Sequence, residues 1–396
     1  MALTGSRVLI GFAEALSAPE VAWSLAGAGH EVHALTRRGA RPPLRRCRSV
    51  RLHAVEAPEH DLERALADVG ALLGTLRPDV AMPLDDAAVW LFSELPLEAV
   101  LAGPAGPRAE LALDKRLQMR AAAAAGLRVP PTRICERPED ALGEPLDYPV
   151  MLKPAHAIRR DGNRLGVGPR VACADAAELA RAAGLYRDGA PFLVQPYVPG
   201  VGEGLFGYAR GGEVLHWSAH RRVRMMSPQG SGSSACVSIA VDEELRAAAA
   251  AMLGAAGWDG LFMVELLRDG SGVPWFVELN GRSWGSMALA RRLGFEYPAW
   301  AVASALGEGV AAPPPPPAEP VVCRHLGREL VHLLIVMRGR PSEALTLWPS
   351  RRRTLREVLT FRRRDRWYNL EPGRAALFVD DTLTTVGKEI ARVVRS

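Results

Sequence analysis

Hydrophobic and polar residues alternate in short blocks along the first hundred residues. Apolar runs at residues 7–11, 30–36 and 78–83 have the length and composition of buried strands. Between them, residues 17–28 and 61–76 repeat apolar side chains with the spacing of amphipathic helices. Strands that alternate with helices favour an open parallel sheet with right-handed crossovers. The first turn lacks the GxGxxG pattern, so a dinucleotide site of that type is not expected.

The next region begins with an alanine-rich helix, predicted over residues 107–126. A small α/β unit is expected after it, with strands at residues 148–153 and 191–198 on either side of a helix at residues 175–185. Residues 199–204 contain three glycines and a proline and are interpreted as a loop. This composition indicates a second, separate small domain.

A third region is richer in strands than in helices. Strands are predicted at residues 205–209 and 214–220, and a helix at residues 243–254. Residues 261–280 form two apolar runs on either side of an Asp-Gly-Ser-Gly reversal, which is typical of a β-hairpin.

The last part of the chain begins with five consecutive prolines at residues 313–317, which predict a stiff extended spacer. The appendage beyond it carries a basic amphipathic stretch at residues 351–366, which could face nucleic acid, an anionic membrane surface or an acidic partner. We favour a solvated helix whose leucines and Phe361 pack on the rest of the protein. The predicted division is therefore residues 1–107, 108–198, 199–310 and 311–396.

Composition narrows the class of protein. With 48% hydrophobic and 23% charged residues the chain is globular, and no apolar run is long enough to span a bilayer. The N-terminus lacks the features of a secretory signal, so a cytoplasmic location is expected. Five scattered cysteines without a CxxC pair argue against a disulfide framework or a thiolate metal site. The cysteines are Cys47, Cys135, Cys173, Cys236 and Cys323.

Lysine is nearly absent from the basic residues. Of 49 basic side chains only three are lysines, namely Lys115, Lys153 and Lys388, and arginine stands everywhere else. A lysine ammonium is a compact charge with rotatable donors, whereas a guanidinium is a rigid planar fork. Lysines retained in such a chain are therefore candidates for a specific role.

The hairpin at residues 261–280 carries the strongest chemical signal. If it is symmetric about its turn, Glu265 lies directly opposite Glu278, and two facing carboxylates are destabilising unless a cation sits between them. Asn280 and Arg282 continue on the face of Glu278. Two carboxylates and an amide oxygen suit Mg²⁺, whereas an ordinary solvent-exposed hairpin face would leave both glutamates inside apolar runs without partners.

The pattern Glu, hairpin, Glu-x-Asn-x-Arg resembles the metal-binding signature of the ATP-grasp superfamily. The resemblance covers about residues 5–306 and implies an open parallel-sheet domain, then two α+β subdomains that clamp ATP, then a C-terminal appendage. The resemblance is to carboxylate–amine ligases of this superfamily. It implies ATP and Mg²⁺ as cofactors, with Mn²⁺ as a substitute, and Glu265, Glu278 and Asn280 as metal ligands.

Further roles follow from the same resemblance. Lys115 and Lys153 would bind the ATP phosphates, and residues 159–170 would form a flap over them. The implied adenine and ribose contacts are Gln195, Tyr197, Val198 and Glu203. The implied substrate and transition-state contacts are Arg222, Arg224, Arg282 and Gly285, with Arg222 and Arg282 in catalytic roles.

The activity implied is ADP-forming activation of a carboxylate as an acyl phosphate, followed by transfer to an amine, with amino-acid-like substrates. Two alternatives remain open: a non-amine acceptor or bicarbonate in the same chemistry, and a nucleotide-binding scaffold acting through its basic C-terminal tail. Small molecules are the expected partners. No nucleic acid is expected, membrane-surface contact would depend on the tail alone, and a homodimer is left open.

Overall fold

The computed structural model describes residues 5–143, 145–186, 189–230, 232–315 and 317–395. Elements are numbered in chain order. The first sheet contains β1 (Arg7–Gly11), β2 (Glu31–Arg37), β3 (Val50–Val55), β4 (Val80–Pro83) and β5 (Val100–Leu101). Its helices are α1 (Ala18–Gly27), α2 (Leu62–Leu76) and α3 (Asp86–Glu94). The strands run parallel in the order β3-β2-β1-β4-β5, which confirms the predicted open parallel sheet.

The single helix predicted at residues 107–126 is two helices, α4 (Pro107–Leu113) and α5 (Lys115–Ala124). Asp114 separates them in extended conformation and accepts a hydrogen bond from the backbone N–H of Arg116 at 2.7 Å. Aspartate is a preferred N-cap because its side chain satisfies a free helix N–H group. The break places Lys115 at the first position of α5.

A small antiparallel sheet follows. It contains β6 (Arg133–Cys135), β7 (Val150–Pro154), β10 (Val171–Cys173) and β11 (Phe192–Pro196), with α6 (Ala176–Ala183) packed on it. The strand order is β10-β7-β11-β6. Between β7 and β10 a separate hairpin, β8 (Arg159–Asp161) with β9 (Arg164–Gly166), occupies the predicted flap region.

The largest sheet has seven strands. They are β12 (Gly200–Arg210), β13 (Glu213–Met225), β14 (Ser233–Ile239), β15 (Gly260–Asp269), β16 (Pro274–Asn280), β17 (Val322–Arg324) and β18 (Arg366–Trp367). The associated helices are α7 (Glu243–Ala255), α8 (Met287–Arg292) and α9 (Tyr297–Ala305). The order is β16-β15-β12-β13-β14-β17-β18. The loop predicted at residues 199–204 is wrong, because from Gly200 onward this segment is paired with β15.

The glycines that suggested that loop have a packing role in β12. A Cβ atom at Gly202 would lie 2.6 Å from Cδ of Arg222, and one at Gly204 would lie 2.8 Å from Cε of Met263. Glycine inside a strand often marks such a close approach. The missing side chains of β12 thus leave room for groups of the neighbouring strands.

The C-terminal residues are built into the large sheet. They form β17, β18, α10 (Leu326–Arg338), α11 (Arg351–Leu359) and α12 (Ala375–Arg395); β17 pairs with β14 and β18 pairs with β17. The described prolines of residues 313–317 belong to no helix or strand, and Pro316 lies outside the described residues. The predicted packing of the basic stretch is wrong. Thr354 and Val358 are buried, whereas Leu355, Leu359 and Phe361 are 43%, 56% and 61% exposed.

The three sheets share one hydrophobic cluster, to which Leu9, Leu193 and Phe262 each contribute from a different sheet. All five cysteines are buried free thiols, as expected for small buried hydrophobes. No helix in the described part of the chain combines the length and apolar character needed to cross a membrane.

Candidate active site

The β15–β16 hairpin has the register expected from the sequence. Glu265 is the pairing partner of Glu278, and Met263 is the partner of Asn280. A bulge follows at once, because Leu266 pairs with Phe276. Paired residues of antiparallel strands project from the same face of a sheet, so the two carboxylates lie side by side.

Two buried cations neutralise the facing carboxylates. Lys115 Nζ lies 2.6 Å from Oε2 of Glu278, and Nη2 of Arg222 lies 2.7 Å from Oε2 of Glu265. Lys115 and Arg222 are only 3% and 8% exposed, so both pairs are shielded from water. Each carboxylate has its own cation in this state, which removes most of the repulsion between the glutamates.

Further positive charge surrounds Glu278. Burial alone would raise the pKa of Glu278, but Lys115, Arg170 and Lys153 outweigh it and hold that pKa well below its ordinary value. Burial and the neighbouring Lys115 lower the pKa of Lys153 to about 7, although Glu278 acts in the opposite direction. The nearest guanidinium nitrogen of Arg170 is 3.9 Å from Glu278. This cluster of cations is suited to an anion with several charges, such as a polyphosphate.

Gln118 holds the edge strand that carries Glu278. Its side-chain amide donates to the carbonyl oxygens of Leu279 at 2.9 Å and Ala112 at 2.8 Å, and its oxygen accepts from the N–H of Leu279 at 2.9 Å. Gln118 is 1% exposed. It lies one helical turn after Lys115, so α5 fixes a cation and its carboxylate partner together. The sequence analysis missed this residue, and nothing in the local pattern marks a glutamine that bonds to a strand 161 residues away.

Arg282 is fixed by the N-terminal sheet domain. Its Nε and Nη2 atoms donate to the two carboxylate oxygens of Asp86 at 3.0 and 3.3 Å. Asp86 begins α3, directly after β4 and the N-cap residue Asp85. Burial would lower the pKa of Arg282, but Asp86 raises it above its ordinary value. The carboxyl end of a strand in an open parallel sheet is a common ligand site, and that position is the signal that could have identified Asp86.

These groups line one cavity of about 340 Å³. Lys115, Arg222, Glu265, Glu278, Asn280 and Arg282 all contribute to its wall, as does Gly285. Trp284 also lines it, although that ring is 1% exposed and stacks on Phe206 at a centroid distance of 4.9 Å. Most of the residues implied by the ATP-grasp resemblance are therefore brought to a single place.

A neutral histidine completes one wall of the cavity. Nδ1 of His220 lies 2.8 Å from Oγ of Ser286, and both residues line the cavity. Burial, with the charge of Arg222, lowers the pKa of His220 to about 3. Nε2 of His220 makes no hydrogen bond to any described residue. This buried polar atom is available to a ligand.

No protein-family model and no curated protein sequence matches the chain. Solved structures do match in fold. An L-amino acid ligase from Bacillus licheniformis matches with a TM-score of 0.58 at 19% identity, over 76% of this chain and 74% of its own. The biotin carboxylase domain of the 2-oxoglutarate carboxylase of Hydrogenobacter thermophilus, in complex with MgADP, ADP and bicarbonate, has a TM-score of 0.60 at 17% identity over 78% and 71%. The phosphoribosylamine–glycine ligase of Thermotoga maritima has a TM-score of 0.58 at 15% identity over 80% and 79%.

The chain has the ATP-grasp fold. In this fold the hinge residues implied by the sequence lie where the small sheet joins the large one, between the end of β11 and the start of β12. Gln195 donates from Nε2 to Oγ1 of Thr132 at 2.6 Å, and the backbone N–H of Tyr197 donates to the carbonyl of Pro149 at 2.9 Å. Val198 follows, half-buried. None of the three lines the cavity described above.

Glu203 and Arg224 do not line the cavity. Glu203 pairs with Leu266 and therefore projects from the opposite face to Glu265; its two oxygens accept from Arg221 at 2.8 Å and Arg268 at 2.9 Å. Arg224 follows a register shift in β13 and forms a two-nitrogen ion pair with Glu329 of α10 at 2.9 and 2.6 Å. Both side chains are therefore held by ion pairs outside the cavity lining in this structure.

The oxygen ligands in the cavity are of the kind that fits Mg²⁺ shared with a phosphate. Glu265, Glu278 and Asn280 supply oxygen ligands, and no cluster of three or more His, Cys, Asp or Glu side chains suited to a metal occurs among the described residues. Protein sites for Mg²⁺ commonly use one or two carboxylates and leave the other positions to water and substrate phosphates. Nε of Arg222, buried without a hydrogen bond to any described residue, is a further donor that a ligand could satisfy.

Proposed function

We propose that the protein is an ADP-forming ligase, which uses ATP and Mg²⁺ to activate a carboxylate as an acyl phosphate and then joins it to an amine. The observation that carries this proposal is the pairing of Glu265 with Glu278, flanked by the buried cations Lys115 and Arg222. Two adjacent carboxylates with an asparagine beside them supply the oxygen ligands that suit a divalent cation. The cavity beside them has room for small reactants.

The residues divide between nucleotide and substrate. Glu265, Glu278 and Asn280 would hold Mg²⁺, which neutralises phosphate charge during transfer. Lys115 and Lys153 are assigned to the phosphates, because lysine follows a phosphate that moves more easily than a rigid guanidinium does. Gln195, Tyr197 and Val198 are assigned to the adenine, since the hinge lies between the two clamping sheets.

The proposed chemistry has two steps. A carboxylate oxygen attacks the γ-phosphorus, the bond to the β-phosphate oxygen breaks, and ADP leaves an acyl phosphate. The amine nitrogen then attacks the acyl carbon and loses a proton, the carbon–oxygen bond breaks, and inorganic phosphate leaves. Arg222 and Arg282 supply fixed positive charge where negative charge develops, and Asp86 holds Arg282 in place before the reactants arrive.

Amino-acid-like substrates and a cytoplasmic location are part of the proposal. Arg282 and Gly285 line the cavity together, as expected if they hold a substrate carboxylate. Two structures with the same fold are named as ligases of amino acids, one of L-amino acids and one of glycine. Bicarbonate remains the alternative acid, because it is bound in a third structure of similar fold. A homodimer also remains open.

The test is substrate-dependent release of ADP from purified protein with MgATP and pairs of amino acids, small acids and bicarbonate. Carboxylates labelled with ¹⁸O should transfer one label to inorganic phosphate, which identifies the acyl phosphate directly. Glu278→Gln keeps the size of the side chain and should abolish the activity. Glu244→Gln on the exposed start of α7 is the matched control and should be unaffected.

Release of AMP and pyrophosphate would refute the acyl phosphate and indicate an adenylate. ADP release that is independent of every acid and amine would refute the ligase assignment. Binding of MgATP without turnover of any substrate pair would favour the nucleotide-binding scaffold. The next experiment would then be to remove the exposed basic residues of α11 and to measure whether the protein still binds its partner.

A further inference from the structure

An arginine from the C-terminal part of the chain also lines the active-site cavity. Arg328 is the third residue of α10 and lines the cavity together with Arg170, Arg222 and Arg282. The start of α10 is firmly held, because Arg324 is 2% exposed and donates to Glu329 at 2.9 Å and to Asp365 at 3.0 Å. The guanidinium of Arg328 is therefore presented by a fixed element.

Arg328 differs in its partners from the other three arginines that line the cavity. Arg222 is paired with Glu265, Arg282 with Asp86 and Arg170 with Glu278, but no carboxylate of the described residues lies within 4.0 Å of the Arg328 guanidinium. Among the described residues, the side chain of Arg328 donates one hydrogen bond, from Nη1 to the backbone carbonyl of Ser233 at 3.2 Å. Its Nε and Nη2 atoms make no hydrogen bond to a described residue.

The guanidinium of Arg328 lies in a space that is left open by a neighbouring glycine, Gly232. A Cβ atom on Gly232 would lie 2.7 Å from Nη1 of Arg328, so a larger residue there would displace the guanidinium. Partial burial lowers the pKa of Arg328, as does Arg222, and Tyr368 and Asp381 offset this only in part. A half-buried charge without a counter-ion is costly, and an anionic ligand reduces that cost.

The position of Arg328 separates it from the reacting centre. Ser233 begins β14, and three strand spacings, through β13 and β12, separate β14 from the metal-ligand strand β15. At 4.7–4.9 Å for each spacing, the two backbones are about 14 Å apart. The carboxylate that attacks ATP must lie beside the metal ligands, so the group that reaches Arg328 is a different one.

We propose that Arg328 binds a second anionic group of the substrates, a carboxylate or a phosphate that takes no part in bond formation, and that the C-terminal segment thereby selects which substrates are used. This inference rests on the proposed ligase function. Arg328 is a binding residue in it, and the substrate pair must carry a negative charge remote from the new amide bond.

The first test needs no turnover. The thermal midpoint of the protein is measured against malonate and against inorganic phosphate, with chloride at matched ionic strength, for the unmodified chain, Arg328→Gln and Arg338→Gln. Arg338 is the matched control, since it is an exposed arginine on the same helix. One or both anions should stabilise the unmodified chain and the control more than Arg328→Gln, in which Lys115, Lys153 and Arg282 still attract an anion, and the anion with the larger difference identifies carboxylate or phosphate.

The second test uses any substrate pair found in the ligase assay. Arg328→Gln should raise the KM of the substrate with the remote anion by about 10- to 100-fold and leave kcat little changed. This factor corresponds to the loss of one hydrogen bond to a charged group. Blocking that anion as an amide or ester should impair the unmodified chain and leave Arg328→Gln unaffected. Arg328→Lys, which keeps the charge, should be intermediate and controls for misfolding.

Equal stabilisation of Arg328→Gln and Arg338→Gln by both anions overturns the proposal. So does an unchanged KM, or stabilisation by neither anion. Because the anion measurement is independent of ATP, a protein that binds malonate through Arg328 and ligates nothing supports this inference and refutes the ligase function alone.

Discussion

Lys153 should reduce the stability of the fold, and its replacement by methionine should increase it. Lys153 is 9% exposed on β7, beside the positive charge of Lys115, and its pKa is about 7 instead of 10.5. Methionine has a similar length and no charge, so it fills the same space without the cost of desolvating an ammonium group. The gain should be accompanied by loss of ATP binding, because the charge that is costly in the empty site is assigned to the phosphates.

The magnitude and the pH dependence follow from the pKa shift. Between pH 7 and 10.5 the unfolded chain binds a proton that the folded protein lacks, so this group lowers stability as pH falls through that window, and below pH 7 the penalty is complete. At 1.36 kcal/mol for each pH unit, Lys153→Met should raise the free energy of unfolding by about 2 kcal/mol at pH 9 and by about 5 kcal/mol at pH 6.

The assay is urea denaturation of both proteins at pH 6, 7, 8 and 9, with the difference in unfolding free energy plotted against pH. Lys388→Met is the control, because that lysine is exposed on α12 and should show no such trend. MgATP binding to the unmodified chain near pH 8 should also take up a proton, since phosphate restores the charged form. A Lys153→Met protein that is less stable than the parent at pH 6, or a difference that does not vary with pH, would refute the reasoning.

Three further changes test the supports of the site. Glu329→Gln should cost about 1.5–3 kcal/mol of stability, measured by urea denaturation, because the carboxylate shared by the guanidinium groups of Arg224 and Arg324 is lost and each keeps only its second partner, Glu357 or Asp365; a loss below about 1 kcal/mol would contradict this. Gln118→Leu should cost about 2–4 kcal/mol of stability, because the backbone carbonyls of Ala112 and Leu279 and the N–H of Leu279 lose their buried hydrogen-bond partner. It should also weaken Mg²⁺-dependent nucleotide binding, measured by calorimetry. Unchanged binding would show that β16 does not depend on Gln118 for its position. Gly202→Ala should lower turnover by about 10- to 100-fold by displacing Arg222, whereas Gly270→Ala, where a Cβ atom meets nothing within 4 Å, should have no effect.

The hairpin could be predicted from the sequence because all of its determinants are local. The turn and the apolar runs on both sides of it set the register, and register alone places Glu265 against Glu278. The parallel sheet was predictable for the same reason, since each strand–helix unit repeats a local pattern. The two lysines were found by composition, although the pairing of Lys115 with Glu278 was not.

The rest depended on contacts between distant parts of the chain. The strand β17 is three residues long, Val322–Arg324, and is a strand because it pairs with β14 on one side and β18 on the other. Its pattern is too short to recognise. Arg328 is one of many arginines in the chain, and its sequence neighbours say nothing about the cavity it enters. Arg224 was assigned to the substrate because alternation predicts a shared face with Arg222, but shifts of register in β13 turn it towards Glu329.

The late position of β17 in the chain has a consequence for synthesis on the ribosome. The backbone N–H of Val321 bonds to the Ser238 side chain, and 83 residues separate the two. At 5–20 residues per second, the ribosome needs roughly 4 to 17 seconds to make that length of chain. During this interval β14 is an unpaired sheet edge, the kind of surface that invites aggregation. We expect the nascent chain to depend on chaperones more than its finished form does, and to gain activity only after the last helices have left the exit tunnel.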